Sequence, residues 1–177
     1  MATATRAAAP AKQSANGDTS MIESRNDIPK AKRTKLCTLL NERLRDSIKL
    51  GLNAKQAHWN VKGLNFIALH KLFDEVHAAT EEFVDEIAER VTALGGLADG
   101  SVSALGKSEI GDHPTKAVDW KTHVNSLADE LAAYGKLVRQ GIDEADELED
   151  KGTADLFTGI SRKVDQYLWF VEAHVQD

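Results

Sequence analysis

Five side chains between residues 58 and 89 have the chemistry of metal ligands: His58, His70, Asp74, Asp85 and Glu89. Imidazole nitrogens and carboxylate oxygens are the donors that a borderline-to-hard divalent cation such as iron prefers. Four of the five fall in one helical run, residues 70–89. At about 100° per residue and measured from Asp74, His70 lies near −40°, Asp85 near +20° and Glu89 near +60°. All four therefore share one stripe. They do not form one site, because Asp74 and Asp85 are about 16 Å apart along the axis at 1.5 Å per residue. A metal–oxygen bond spans only about 2 Å.

A second copy of the helix, packed antiparallel, changes this. His70 and Glu89 are equidistant from a midpoint between Ala79 and Thr80, and so are Asp74 and Asp85. A two-fold axis there sets His70 against the other copy's position 89 and Asp74 against its position 85. Two-fold homodimers are the commonest assembly, and each of their contacts occurs twice. Ala78 and Ala79 are small enough to let two backbones approach. The spacing points to two equivalent metal sites per dimer, each drawing on both chains. The competing explanation is a solvated acidic helix face. It leaves the shared midpoint and the histidines as coincidence.

The stretch QAHWNVKGLNFIALH, from Gln56 to His70, followed by Phe73-Asp74-Glu75, resembles the Dps miniferritins, the starvation-induced DNA-protecting proteins. Asp85-Glu86-Ile87-Ala88-Glu89-Arg90 and Leu94-Gly95-Gly96 continue the likeness, which covers about residues 34–177. The resemblance implies an all-α fold, a ferritin-like four-helix bundle with a short extra helix in the connection between the second and third long helices. It implies a hollow dodecamer built from two-fold dimers. Its ferroxidase centres would take His58, His70 and Asp74 from one subunit and Asp85 and Glu89 from its neighbour. The position of His58 rests on this resemblance alone. Fe2+ would be oxidised, by preference with hydrogen peroxide, and stored as Fe3+. Removing the two reactants together would protect DNA.

The charge is unevenly placed. Residues 1–35 carry seven cations (Arg6, Lys12, Arg25, Lys30, Lys32, Arg33, Lys35) against Asp18, Glu23 and Asp27, so that a net charge of −6 leaves −10 for the rest. A basic arm on an acidic body suits an anionic partner for the arm and cationic cargo for the body. Residues 1–33 lack an apolar period and read as a flexible tail, with the bundle at 34–177. The arm's cations can neutralise DNA phosphates without regard to sequence. A DNA-condensing structural protein with a non-catalytic metal site is the rival reading. Cys37 has no partner for an intrachain disulfide. It fits a reducing, cytoplasmic location, with nucleoid association if DNA is bound, and reads most simply as a small core residue.

The elements that must position these groups follow from periodicity. A first helix over 34–61 carries an apolar stripe of Leu36, Leu39, Leu40, Leu44, Ile48 and Leu52. A second runs over 65–94, with Asn65 as N-cap and Gly95-Gly96 ending it. Residues 97–117 hold glycines, Pro114 and a short helix near 101–105. Helices over 118–149 and from about 153 to 175 complete the bundle, with Thr153 capping the last. Asp143-Glu144-Ala145-Asp146-Glu147-Leu148-Glu149-Asp150 sets six acids at a helix C-terminus, where the macrodipole disfavours them. Around a symmetry axis they would form an acidic funnel for Fe2+, with Asp143, Glu144 and Glu147 as pore residues. Otherwise they are a solvated, frayed end. His77 and Glu81 read as neighbours of the site or as surface charges. His113, His123 and His174 show no partner. Trp59 and Trp169 read as core or interface residues.

Overall fold

The computed structural model describes residues 21–176. Five helices follow one another: α1 (Lys30–Asn60), α2 (Phe66–Ala93), α3 (Val102–Leu105), α4 (Trp120–Glu147) and α5 (Lys151–Glu172). The four long ones bury their apolar stripes in one core. Leu36, Leu40 and Leu44 of α1 meet Leu69, Phe73 and Ile87 of α2, Leu127, Tyr134 and Val138 of α4, and Phe157 and Val164 of α5. α1 packs mainly on α2, and α4 on α5. The four-helix bundle with a short helix in the long connection is as the sequence indicates.

That connection crosses the bundle along α1. Asn41 Nδ2 donates to the Leu97 carbonyl at 3.0 Å, Asp46 accepts from Ser108 Oγ and the Glu109 N–H at 2.8 Å, and Asn53 donates to the Gly111 carbonyl at 2.8 Å. Each bond lies further along α1 than the last. The chain thus enters α4 at the end of the molecule where α1 finishes.

Several boundaries differ from the sequence reading. α1 starts at Lys30, so residues 30–33, assigned to the tail, are its first turn. Arg33 is buried, and its guanidinium donates to the Ile28 and Leu94 carbonyls at 3.0 and 2.7 Å. It is therefore withdrawn from the DNA-binding candidates, as its charge is spent on the end of α2. Lys32 is ion-paired with Glu149. Arg25, Lys30 and Lys35 are exposed, and Arg6 and Lys12 lie outside the described residues. Leu52 is 51 % exposed and does not join the core stripe. Trp59 and Trp169 are also exposed, so neither is a core residue of this chain. Ala79 is buried in the subunit's own core, which leaves exposed Ala78 as the small residue facing outward.

The acidic run divides between two tasks. Glu149 adopts φ 62° and closes α4, and Asp150 caps α5 by accepting from the Gly152 and Thr153 N–H groups. Thr153 is not the cap. It lies inside the helix, where its hydroxyl donates to Asp150. Asp146 pairs with Lys151 at 2.7 Å. Asp143, Glu144 and Glu147 are exposed and make no ion pair among the described residues.

Candidate metal centre

The seam between α1 and α2 brings His58 and His70 together. Their rings stack with centroids 3.7 Å apart and planes 20° from parallel. Each lends its ring to the other's backbone: His58 Nδ1 donates to the His70 carbonyl at 2.6 Å, and His70 Nδ1 to the His58 carbonyl at 2.9 Å. A carbonyl oxygen can only accept, so both Nδ1 atoms carry the proton. The lone pairs of the neutral rings are then on the two Nε2 atoms. A second group that fixes the tautomer and the ring plane is the usual support for a metal-binding imidazole.

Asp74 follows one turn after His70 on the exposed side of α2 and is ion-paired with Lys55. The Lys55 ammonium holds its carboxyl below the usual carboxylate range. Lys55 lies one turn before His58 on α1, so the spacing of the two residues is the sequence signal for this ion pair. The antiparallel register is the cause: Lys55 meets Asp74 just as His58 meets His70. Nearby, Phe66 tilts against His70 with ring centroids 5.1 Å apart.

Asp85 and Glu89 do not join this cluster. They lie further along α2, exposed to solvent and without an ion pair among the described residues. The helix between them and Asp74 is unbroken, so the 11-residue separation is a real distance along a rigid rod. Among the described residues, no three His, Cys, Asp or Glu side chains of this one chain converge as a metal would need. The single subunit thus presents two half-sets of donors at opposite ends of one stripe.

A second cluster was missed. His113 donates from Nδ1 to Glu130 Oε1 at 2.8 Å, and its Nε2 faces His123 Nδ1 at 2.8 Å. All three are buried, and His123 Nε2 and Glu130 Oε2 have no hydrogen-bond partner among the described residues. The reading of His113 and His123 as partnerless is corrected. They are far from the candidate ligands of α2 in sequence, and only the crossover connection brings His113 against α4. Burial, and then the proximity of His113, push the His123 pKa down. Protonation therefore favours the unfolded chain. The contribution is complete above the ordinary histidine pKa of about 6.5 and is lost as pH falls from there toward the depressed folded value. The denaturation midpoint is expected to fall between about pH 7 and pH 5. His123→Phe should flatten that fall, and an unchanged pH slope in the variant would clear His123 of the acid response.

Long antiparallel helices around one core, with a crossover between the second and third and carboxylates and histidines on the second, define a ferritin-like class of protein. The description of the ferritin-like domain matches residues 37–177. The chain is 40 % identical over 156 residues to the DNA protection during starvation protein of Agrobacterium fabrum, covering 88 % of this chain and 96 % of the relative. The solved structure of DpsA14 from Streptomyces coelicolor superposes with a TM-score of 0.86 at 31 % identity, covering 91 % of this chain and 96 % of that one. The Dps protein of Vibrio cholerae O1, described as a member of a broad superfamily of ferritin-like diiron-carboxylate proteins, gives 0.82 at 26 % identity, covering 89 % and 99 %. The chain belongs to the Dps family of ferritin-like proteins.

Proposed function

We propose that this protein is a ferroxidase and iron-storage cage whose centres lie between subunits. The observation that carries the reading is the interlocked pair of histidines, each holding the other's Nδ1 and leaving Nε2 for a metal beside Asp74. In this reading His58, His70 and Asp74 of one subunit bind Fe2+ together with Asp85 and Glu89 of its neighbour. Lys55 neutralises Asp74 until the cation arrives, and Fe2+ then takes its place. Two Fe2+ ions each give up one electron to hydrogen peroxide. The O–O bond of one peroxide breaks with the uptake of two protons to give two water molecules, and no hydroxyl radical is released.

The remaining exposed carboxylates would guide Fe2+ in and receive Fe3+ as mineral. Asp143, Glu144 and Glu147 suit the entry path, since no cation among the described residues is ion-paired with them. A dodecamer built from two-fold dimers, in the cytoplasm, would enclose the store. The test is Fe2+ oxidation followed by absorbance with added peroxide. The native protein should be fast and the variant His70→Ala with Asp74→Ala close to the protein-free rate. A native rate in that variant would remove the site assignment.

The rival, a DNA-condensing protein with a non-catalytic metal site, is favoured by the basic arm. With Arg33 buried and Lys32 paired, the exposed cations of the arm among the described residues are Arg25, Lys30 and Lys35, while Arg6 and Lys12 lie outside those residues. In a gel shift at rising salt, binding should weaken with salt and drop when residues 1–20 are removed. An absence of binding by the full chain at low salt would eliminate this role.

A further inference from the structure

His77 takes no part in the centre described above, yet it is prepared in the same way as His58 and His70. Its Nδ1 donates across the α1–α2 seam to the Gly51 carbonyl at 3.1 Å, so the lone pair of the neutral ring is on Nε2. Gly51 makes this approach feasible. A Cβ there would lie 2.6 Å from Thr80 Oγ1 and 3.4 Å from His77 Nδ1. His77 Nε2 is 3.5 Å from Glu81 Oε1, one turn further along α2. That is longer than a good hydrogen bond of about 2.7–3.2 Å. It is close to the donor separation of about 3.4 Å that two metal bonds of about 2.0–2.1 Å subtend at a tetrahedral angle. The two side chains open into a groove of about 370 Å³ between α1 and α2, walled by Ile48, Gly51 and Leu52 and reaching Asp85.

Apart from Asp85, which the preceding reading gives to the oxidation centre, one chain offers two donors in this groove among the described residues. The two-fold arrangement supplies the rest. His77 and Glu81 straddle the midpoint between Ala79 and Thr80, about 4 Å to one side and about 2 Å to the other along the helix. Around the helix they lie near −60° and −20° from Asp74, on the same side of the facing line. A two-fold axis keeps that side in common for both copies, so two imidazoles and two carboxylates gather about the axis. Without a cation or protons between them, the two carboxylates would repel each other.

We propose that two copies of this chain form a further divalent-cation site on their two-fold axis, from His77 and Glu81 of each. It is separate from the two centres at His70 and Asp74. It rests on the two-fold arrangement of the preceding reading, and it is incomplete without the second copy. Two nitrogen and two oxygen donors suit Zn2+, Co2+ or Fe2+ rather than Mg2+ or Ca2+. An ion held there would tie the dimer together as well as occupy it.

The test uses the full-length assembly with Co2+ as probe, in a background of His70→Ala with Asp74→Ala that silences the other centres. Size-exclusion chromatography with light scattering first establishes the oligomer. Calorimetry should then show about half a Co2+ per chain, one ion per two-fold dimer, and the visible bands of four-coordinate Co2+ should appear. Adding Glu81→Gln, an exposed position with little bearing on folding, should weaken binding at least tenfold, and His77→Gln should do the same. An intact oligomer that binds no Co2+ in this background, or binds it equally with Glu81→Gln, overturns the site while leaving the shared oxidation centres standing. A native chain that is a monomer in solution overturns both.

Discussion

Combining two inactive variants should restore Fe2+ oxidation to about a quarter of the native rate, if each centre is built from both chains of a two-fold dimer. One variant carries His70→Ala and Asp74→Ala, the other Asp85→Ala and Glu89→Ala. Alone, each should lose at least about 100-fold, since removing even a supporting group of a metal ligand costs about 10–100-fold. In a mixed dimer, one centre combines both damaged halves and the other both native halves. Random pairing makes about half of the dimers mixed, and each of these has one good centre of two. The subunits are co-expressed or refolded together, so that slow exchange does not hide the effect. Rates are then compared per chain with peroxide as oxidant. A mixture no faster than its parents would show that the five residues do not act across an interface. The unbroken α2 is what makes the outcome so sharp, because no bend of one helix can bring Asp85 to Asp74.

The shared helix face of the candidate ligands was legible because it lies on one long helix, where position along the chain converts directly into position in space. α2 runs from Phe66 to Ala93 with no glycine or proline inside it, so the periodicity is uninterrupted. The pairing of His58 with His70 was not legible in that way. It depends on the register between α1 and α2, which only the family likeness supplied. The His113–His123–Glu130 chain was hidden for a related reason. His113 sits in an irregular connection, and nothing in its neighbours fixes which helix it will face. At the start of α1 the error came from composition. Lys30, Lys32 and Arg33 look like a solvated arm, but Arg33 folds its guanidinium onto the carbonyl end of α2, where a cation also opposes the helix dipole. At the turn between α4 and α5, the sequence presents the acids as one run. The positive φ at Glu149 splits them, so that Asp150 belongs to the next helix.

That split leads to a second large effect, on stability. Asp150→Ala should destabilise the subunit by about 2–4 kcal/mol, the combined effect of losing a helix cap and the charge-assisted hydrogen bonds from a partly exposed Arg90. Asp150 is 3 % exposed and accepts both Arg90 Nη2 contacts, at 2.7 and 2.8 Å, along with the Gly152 and Thr153 N–H groups and the Thr153 hydroxyl. Alanine would leave the α5 cap empty and the Arg90 guanidinium without its counter-charge. Burial opposes ionisation of Asp150, but the hydrogen bonds from Thr153 and Arg90 outweigh it and hold the carboxyl below the usual range. The folded pKa being depressed, this stabilisation is present above the unfolded value of about 3.9 and is lost as pH falls through the folded one. At neutral pH it is therefore fully in force. Denaturant unfolding at fixed chain concentration, followed by circular dichroism, measures it. Asp150→Asn separates the two contributions, because asparagine caps a helix about as well as aspartate but carries no charge. If Asp150→Asn behaves like the native chain and Asp150→Ala does not, the cap dominates. If both fall together, the Arg90 pair does. Arg90 follows Glu89 directly on α2, so loosening it should also blur the position of a proposed iron ligand. A variant that stays folded at low temperature is thus expected to oxidise Fe2+ more slowly than its stability alone would require.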